Sequence, residues 1–145
     1  MSRDLHNNAR AKRVIAPIAI GANATKTGVV IDRQGYGGVE FVASYGAVTT
    51  TGTIVTLLVK EGDVTGTLTS VADADLLGTE VLASLPVQAT ARTSEVGKNV
   101  TKRVGYKGSK RYVSVDSIST GTTSVGCISI EAILHDAEIA PTANP

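Results

Sequence analysis

Short runs in which apolar and polar residues alternate recur along this chain, and no 3.6-residue period extends beyond two turns. In one such run Val39, Phe41, Ala43 and Tyr45 occupy every second position, as they do when one face of a strand is buried. The runs are separated by segments rich in Gly and Thr, which are typical of turns and β-branched strands. This alternation predicts β-strands and disfavours a helical fold.

About eight such runs at roughly 10–15-residue spacing predict an antiparallel β-sandwich, and eight strands in two packed sheets favour a jelly roll. The 145 residues suffice for one hydrophobic core. We therefore predict an all-β protein in three parts. They are an extended N-terminal arm (residues 1–13), a single β-sandwich domain (residues 14–136) and a loose C-terminal tail (residues 137–145).

Two of the predicted strands carry clear structural expectations. The near-continuous apolar run Ile54–Val59 is expected to point Val55, Leu57 and Val59 inward. The run Ser124–Leu134 contains Cys127, the only cysteine, which we expect to act as a small buried hydrophobic residue. A single cysteine allows no disulfide within the chain, so packing or oligomerisation must supply the stability.

Two other runs contain proline, which has no N–H to donate to a neighbouring strand. Pro17 therefore favours an edge position for the strand Val14–Ile20. Pro86 limits the run Leu82–Gln88 to an edge strand in the same way.

The segment Val100–Ile118 predicts a β-hairpin, because two alternating runs flank a turn signal at residues 107–110. Gly108 is expected to adopt the positive φ of a tight reversal. Residues 98–111 hold six of the fourteen basic residues: Lys98, Lys102, Arg103, Lys107, Lys110 and Arg111. Three interpretations remain open: protection of a strand edge, docking on an acidic protein surface, or contact with nucleic acid.

A second basic group lies in the arm, where Asp4 is the only acid beside Arg3, Arg10, Lys12 and Arg13. The formal net charge of the whole chain is only +1, which argues against nucleic-acid binding by the whole domain. The arm is too polar to order by itself, so we expect it to order on a partner.

Candidate catalytic and metal-binding residues are few. His6 and His135 stand at opposite ends of the chain, and Cys127 is expected to be buried, so neither a histidine pair nor a thiol nucleophile is indicated. The acids Glu61, Asp63, Asp73 and Asp75 lack the loop glycine and closing glutamate of an EF-hand. We expect no enzyme activity, no cofactor and no metal.

The N-terminus lacks the apolar region of a signal peptide, and no run approaches the ~20 apolar residues of a membrane span. We therefore expect synthesis and folding in the cytoplasm and no membrane association.

Three segments together resemble a family of small tailed-bacteriophage virion proteins encoded among the head genes, of the capsid decoration or cement type. They are Met1–Asn8, Val71–Glu80 and Val104–Val113, and the similarity extends over most of the chain. The resemblance implies a small β-rich protein, often a jelly roll, that oligomerises and bridges capsomers on the outside of an icosahedral head. None of the three segments is diagnostic of any chemistry.

The resemblance and the charge pattern together give the functional hypothesis: a structural virion protein that stabilises a phage head by bridging major capsid protein subunits. We expect a dimer or trimer and no direct nucleic-acid contact. The candidate capsid-contact residues are Arg3, Asp4, Leu5, His6, Arg10, Lys12, Arg13, Lys102, Arg103, Lys107, Lys110 and Arg111. The alternatives are a head–tail connector or tail component and, with less support because aromatic residues are scarce, a glycan-binding module.

Overall fold

The structure, a computed structural model, describes residues 4–122, 126–140 and 142. A single 3₁₀ turn (Asp73–Asp75) and a four-residue helix, α1 (Glu80–Ala83), are its described helical segments. Neither has the length and hydropathy needed to cross a membrane. The strands, numbered along the chain, are β1 (Arg10–Ile20), β2 (Ala24–Lys26), β3 (Ile31–Asp32), β4 (Tyr36–Tyr45), β5 (Ile54–Val64), β6 (Thr67–Ser70), β7 (Leu76–Leu77), β8 (Val100–Tyr106), β9 (Tyr112–Thr120) and β10 (Gly126–Ala137).

The strands form two antiparallel sheets, in the orders β1-β10-β4-β8-β7 and β2-β9-β5-β6, with β3 also paired to β9. When β2 and β3 are taken as one interrupted strand and the short β7 is set aside, eight strands remain. The first pairs with the last, the second with the seventh, the third with the sixth and the fourth with the fifth. This is one long antiparallel pair rolled over on itself, the jelly-roll arrangement. The predicted all-β sandwich is confirmed.

Apolar side chains on the facing sides of the two sheets form the core. The residues predicted to point inward from β4 and β5 are each at most 2% exposed: Val39, Phe41, Ala43, Tyr45, Val55, Leu57 and Val59. The Tyr45 hydroxyl donates to the Ala83 carbonyl at 2.7 Å, and burial raises the pKa of this phenol. Each such large apolar side chain contributes about 1.5–3 kcal/mol by leaving water.

The predicted hairpin over Val100–Ile118 is wrong. β8 pairs with β4 in the first sheet and β9 pairs with β5 in the second, so residues 107–111 cross from one sheet to the other. Gly108 lacks the expected positive φ; a Cβ there would lie 2.4 Å from the Tyr106 hydroxyl. Alternation identifies the buried face of a strand but not its partner. Consecutive strands of a sandwich therefore resemble a hairpin in sequence.

The predicted edge strand Leu82–Gln88 is also wrong at its start, because Leu82 belongs to α1. The Thr79 hydroxyl accepts a hydrogen bond from the Leu82 N–H at 3.1 Å and so caps this helix. The chain then extends, and Leu85 forms an isolated bridge with Val55 of β5. A helix of four residues is too short to show a period in the sequence.

Cys127 is exposed, so its predicted burial is wrong. Ile128 and Ile130 face the core as expected, and successive residues of a strand point to opposite faces. Cys127 therefore lies on the outer face of the first sheet. Pro17 lies in β1, which is an edge strand as predicted.

The N-terminal segment differs in part from an extended arm. Its last four residues, Arg10–Arg13, lie in β1 and pair with β10. Before them, the Asp4 carboxylate accepts a hydrogen bond from the Asn7 N–H at 3.1 Å and closes a turn. Thr142 ties this turn to the C-terminal segment, because its N–H donates to the Asn7 carbonyl at 2.8 Å. The remaining ends of the predicted arm and tail (residues 1–3, 141 and 143–145) lie outside the described residues.

Candidate docking surface

The structure brings the two predicted basic groups together at Asp32, where β3 ends. Lys12 of β1 donates through Nζ to the Asp32 carbonyl at 3.2 Å. Arg111, in the loop that crosses between the sheets, donates to the Asp32 carboxylate from Nε at 3.0 Å and from Nη2 at 2.7 Å. The hydrogen bond from Arg111 is the main reason why the pKa of Asp32 is lowered to about 2.

Arg33 fixes the backbone of the crossing loop, a role the sequence did not reveal. Its Nε donates to the Lys110 carbonyl and its Nη2 to the Gly108 carbonyl, each at 2.5 Å. Its guanidinium also stacks over the Tyr106 ring, 5.3 Å from the centroid. Arg33 therefore holds the backbone of the loop that carries Lys107, Lys110 and Arg111.

Tyr106 anchors the same loop from the core side. Its hydroxyl donates to the Glu61 carboxylate and accepts from the Lys110 N–H at 3.0 Å. Burial and then the bond to Glu61 raise the pKa of this phenol. The loop is thus a rigid part of the sandwich.

Three of the six basic residues at 98–111 are neutralised by ion pairs within the protein. Lys110 ion-pairs with Asp63 at 2.5 Å and Arg103 with Glu40 at 3.5 Å, in addition to the pairing of Arg111. A cation already paired gains less from a second carboxylate on a partner, and exposed pairs contribute only about 0–1 kcal/mol each. These residues are weaker docking candidates than their exposure suggests.

Lys102 points toward the interior of the sandwich, which the sequence did not predict. It lies opposite Ala43 in the register, and its Nζ donates to the Ser84 carbonyl at 2.7 Å. Burial, and secondarily the nearby charge of Arg92, lower the pKa of this amine. Lys102 thus binds the residue that follows α1, and we leave it out of the docking surface defined below.

Arg10 and Arg13, by contrast, have no ion pair among residues 4–122, 126–140 and 142. The Nε of Arg10 is buried without a hydrogen-bond partner, and Arg13 is exposed beside its register neighbour Glu131. Both lie on β1, an edge strand. Lys107 is exposed and likewise has no ion pair within the described ranges.

The turn before β1 extends this surface. Leu5 is 69% exposed and follows Asp4, while His6 is also exposed. Hydrogen bonds from Asn7 lower the pKa of Asp4. Arg3, the remaining candidate, lies outside the described residues. We define the docking surface as the edge formed by Asp4, Leu5, His6, Arg10, Lys12 and Arg13.

The candidate catalytic residues occupy unrelated positions. His135 lies against Gly38, with its Nδ1 3.0 Å from the Asp136 carboxylate, and Cys127 is exposed near the other end of β10. In the described part of the chain, no three or more His, Cys, Asp or Glu residues gather as a metal-binding group.

No protein-family model and no curated protein matches this chain. Among solved structures, the SPBc2 prophage-derived protein YomS aligns with a TM-score of 0.46 at 14% identity, over 88% of this chain and 92% of that chain. The structure of infectious bursal disease virus, Gx strain, aligns with a TM-score of 0.49 at 7% identity, over 92% of this chain and 33% of that chain. These neighbours come from a prophage and a virus, and at such low similarity neither carries an argument about function.

Proposed function

We propose that this protein is a structural virion protein that binds the outer surface of a phage head and stabilises it by bridging major capsid protein subunits. The observation that carries the proposal is the edge strand β1, on which Arg10 and Arg13 have no carboxylate partner among the described residues. The family resemblance of the sequence supports the same role.

An unpaired cation on a rigid strand is suited to an acidic partner. The partner carboxylate meets a charge that has no competing internal pair, and the strand needs no ordering. Each surface pair contributes only ~0.2–1 kcal/mol. Many copies on one shell would add such weak contacts through multivalency.

Bridging requires contacts on more than one side of the molecule. The basic residues of β1 would bind acidic residues of one capsid subunit, and a second copy or a neighbouring subunit would contact another face. The apolar residues Val81 and Leu82 of α1, exposed at 79% and 69%, are suited to a self-contact in a dimer or trimer. In this role the protein acts after synthesis in the host cytoplasm and performs no catalytic step.

Co-sedimentation with expanded empty heads tests the proposal. We expect the wild-type protein to pellet with the heads, and the double substitution Arg10→Gln with Arg13→Gln to weaken binding roughly tenfold through loss of two ion pairs. Binding should also weaken as the salt concentration rises from about 0.05 to about 0.5 M, because salt screens the attraction between exposed charges.

The matched control is Arg103→Gln, which removes an exposed arginine that already pairs with Glu40. We expect this variant to bind heads as the wild type does. Equal losses for both variants, or a wild-type protein that stays in the supernatant, would overturn the proposal. Recovery with purified tails instead of heads would assign the protein to the tail.

A further inference from the structure

An apolar cavity of about 290 Å³ opens on the lateral side of the sandwich, between the edge strands β1 and β2. Ile18 and Ile20 of β1 and Ile128 of β10 line it from the first sheet, and Ala24 of β2 lies opposite. Ile20 and Ile128 are buried, so the wall of the cavity is continuous with the core. The volume is roughly twice that of an engineered 150 Å³ cavity that binds benzene.

Ser117 of β9 contributes a hydroxyl to this otherwise apolar space. It lies opposite the buried Leu57 in the register, so its side chain faces the interior, where it is 3% exposed. Among the described residues its hydroxyl has no hydrogen-bond partner, whereas the adjacent Ser119 hydroxyl donates to the Ala22 carbonyl at 2.8 Å. A polar atom of a ligand in the cavity could therefore form a hydrogen bond with this hydroxyl.

Lys26, the last residue of β2, lies on the solvent side of the same cavity. It is exposed and has no ion pair within residues 4–122, 126–140 and 142. The cavity thus combines aliphatic walls, one unpaired hydroxyl and one free cation at its opening.

We propose that this cavity binds an aliphatic carboxylate of medium chain length. The chain lies between Ile18, Ile20 and Ile128, and the carboxylate pairs with Lys26 and accepts a hydrogen bond from the hydroxyl of Ser117, the register neighbour of Lys26. Apolar walls with a few placed polar groups are typical of small-molecule sites. The inference is independent of the capsid surface, because neither Arg10 nor Arg13 lines the cavity.

Titration of ¹⁵N-labelled protein with octanoate tests this proposal. We expect saturable amide shifts confined to residues around the cavity, including Ile18, Ala24 and Ser117. Octanol, which has the same chain without the charge, should bind roughly three- to tenfold more weakly, as expected for loss of one exposed ion pair. Absence of saturable shifts with millimolar octanoate, or shifts spread over the whole domain, would overturn the proposal.

Two variants, each with a matched control, locate the site. Ser117→Leu fills the cavity and should reduce octanoate affinity at least tenfold, while Ser129→Leu, on the outer face of β10, should leave it unchanged. Lys26→Gln should weaken octanoate to the level of octanol and leave octanol binding unaffected, with Lys107→Gln as the exposed control. The two lysine variants test the proposal even if Ser117→Leu fails to fold. Equal effects of Lys26→Gln on both ligands would contradict it.

Discussion

Asp32 is the residue on which the N-terminal strand and the crossing loop converge. Its carboxylate is held by Arg111, and this pairing lowers its pKa from 3.8 to about 2. A lowered carboxyl pKa means that the pairing contributes stability above the unfolded-state pKa and loses it as the pH falls toward 2. The contribution is modest, because the Asp32 side chain is 38% exposed.

We predict that a carboxyl ¹³C NMR titration of the folded protein will give Asp32 a pKa of about 2. Arg111→Gln should raise this pKa toward 3.8, because it removes the donor that stabilises the charged carboxylate. Arg103→Gln, which affects a different ion pair, should leave it unchanged. An Asp32 pKa near 3.8 in the wild type would contradict this account of the loop.

At the residue scale, the sequence could not show which basic side chains are buried or bonded within the protein. Arg92 is 4% exposed and donates only to carbonyls, among them those of Thr50 and Pro86, each at 2.9 Å. Arg33 and Lys102 also donate hydrogen bonds to backbone carbonyls. Basic residues are rarely buried, and backbone carbonyls have no sequence signature, so composition suggests a solvent-exposed charge for all three. Among the described basic residues of the predicted arm, the side chains of Arg10 and Arg13 bond to no acceptor within the described chain, whereas Lys12 donates to the Asp32 carbonyl.

At the scale of elements, the crossing loop depends on a close approach that only glycine permits. A Cβ at Gly108 would lie 2.4 Å from the hydroxyl of Tyr106, a residue that is 1% exposed and whose hydroxyl bonds to Glu61 and Lys110. The conformation of the loop therefore follows from packing against the core rather than from turn geometry.

We predict that Gly108→Ala destabilises the fold by about 1–3 kcal/mol, the range for overpacking a tight site. Gly21→Ala is the control, because a Cβ there meets nothing within 4 Å. Urea unfolding followed by circular dichroism measures both. A Gly108→Ala variant as stable as Gly21→Ala would show that the loop adapts and is not held by Tyr106.

The inward faces of individual strands followed from the sequence, and their pairing did not. Val55, Leu57 and Val59 of β5 are buried as predicted, because a half-buried strand has a period of two. The pairing of β8 with β4 instead of β9 depends on the rolling of the whole chain. No local pattern encodes that choice, which explains why a hairpin was predicted in its place.

For the whole molecule, the rolled arrangement decides which surface is free. Because the first and last strands pair, β1 has β10 on one side and no further strand of its sheet on the other; its Val14 carbonyl accepts a hydrogen bond from the Val29 N–H at 2.9 Å. The same arrangement places the turn before β1 beside the C-terminal Thr142. The turn at residues 4–9, Thr142 and the two arginines of β1 therefore lie at one end of the sandwich, whereas α1 contacts β5 and β8.

An image reconstruction of phage heads carrying this protein tests the central claim most directly. The account predicts density for the sandwich on the outer surface of the shell, with the β1 edge against the shell and each copy in contact with at least two capsid subunits. A reconstruction in which the β1 edge faces solvent, or in which each copy contacts a single subunit and no second copy, would contradict it.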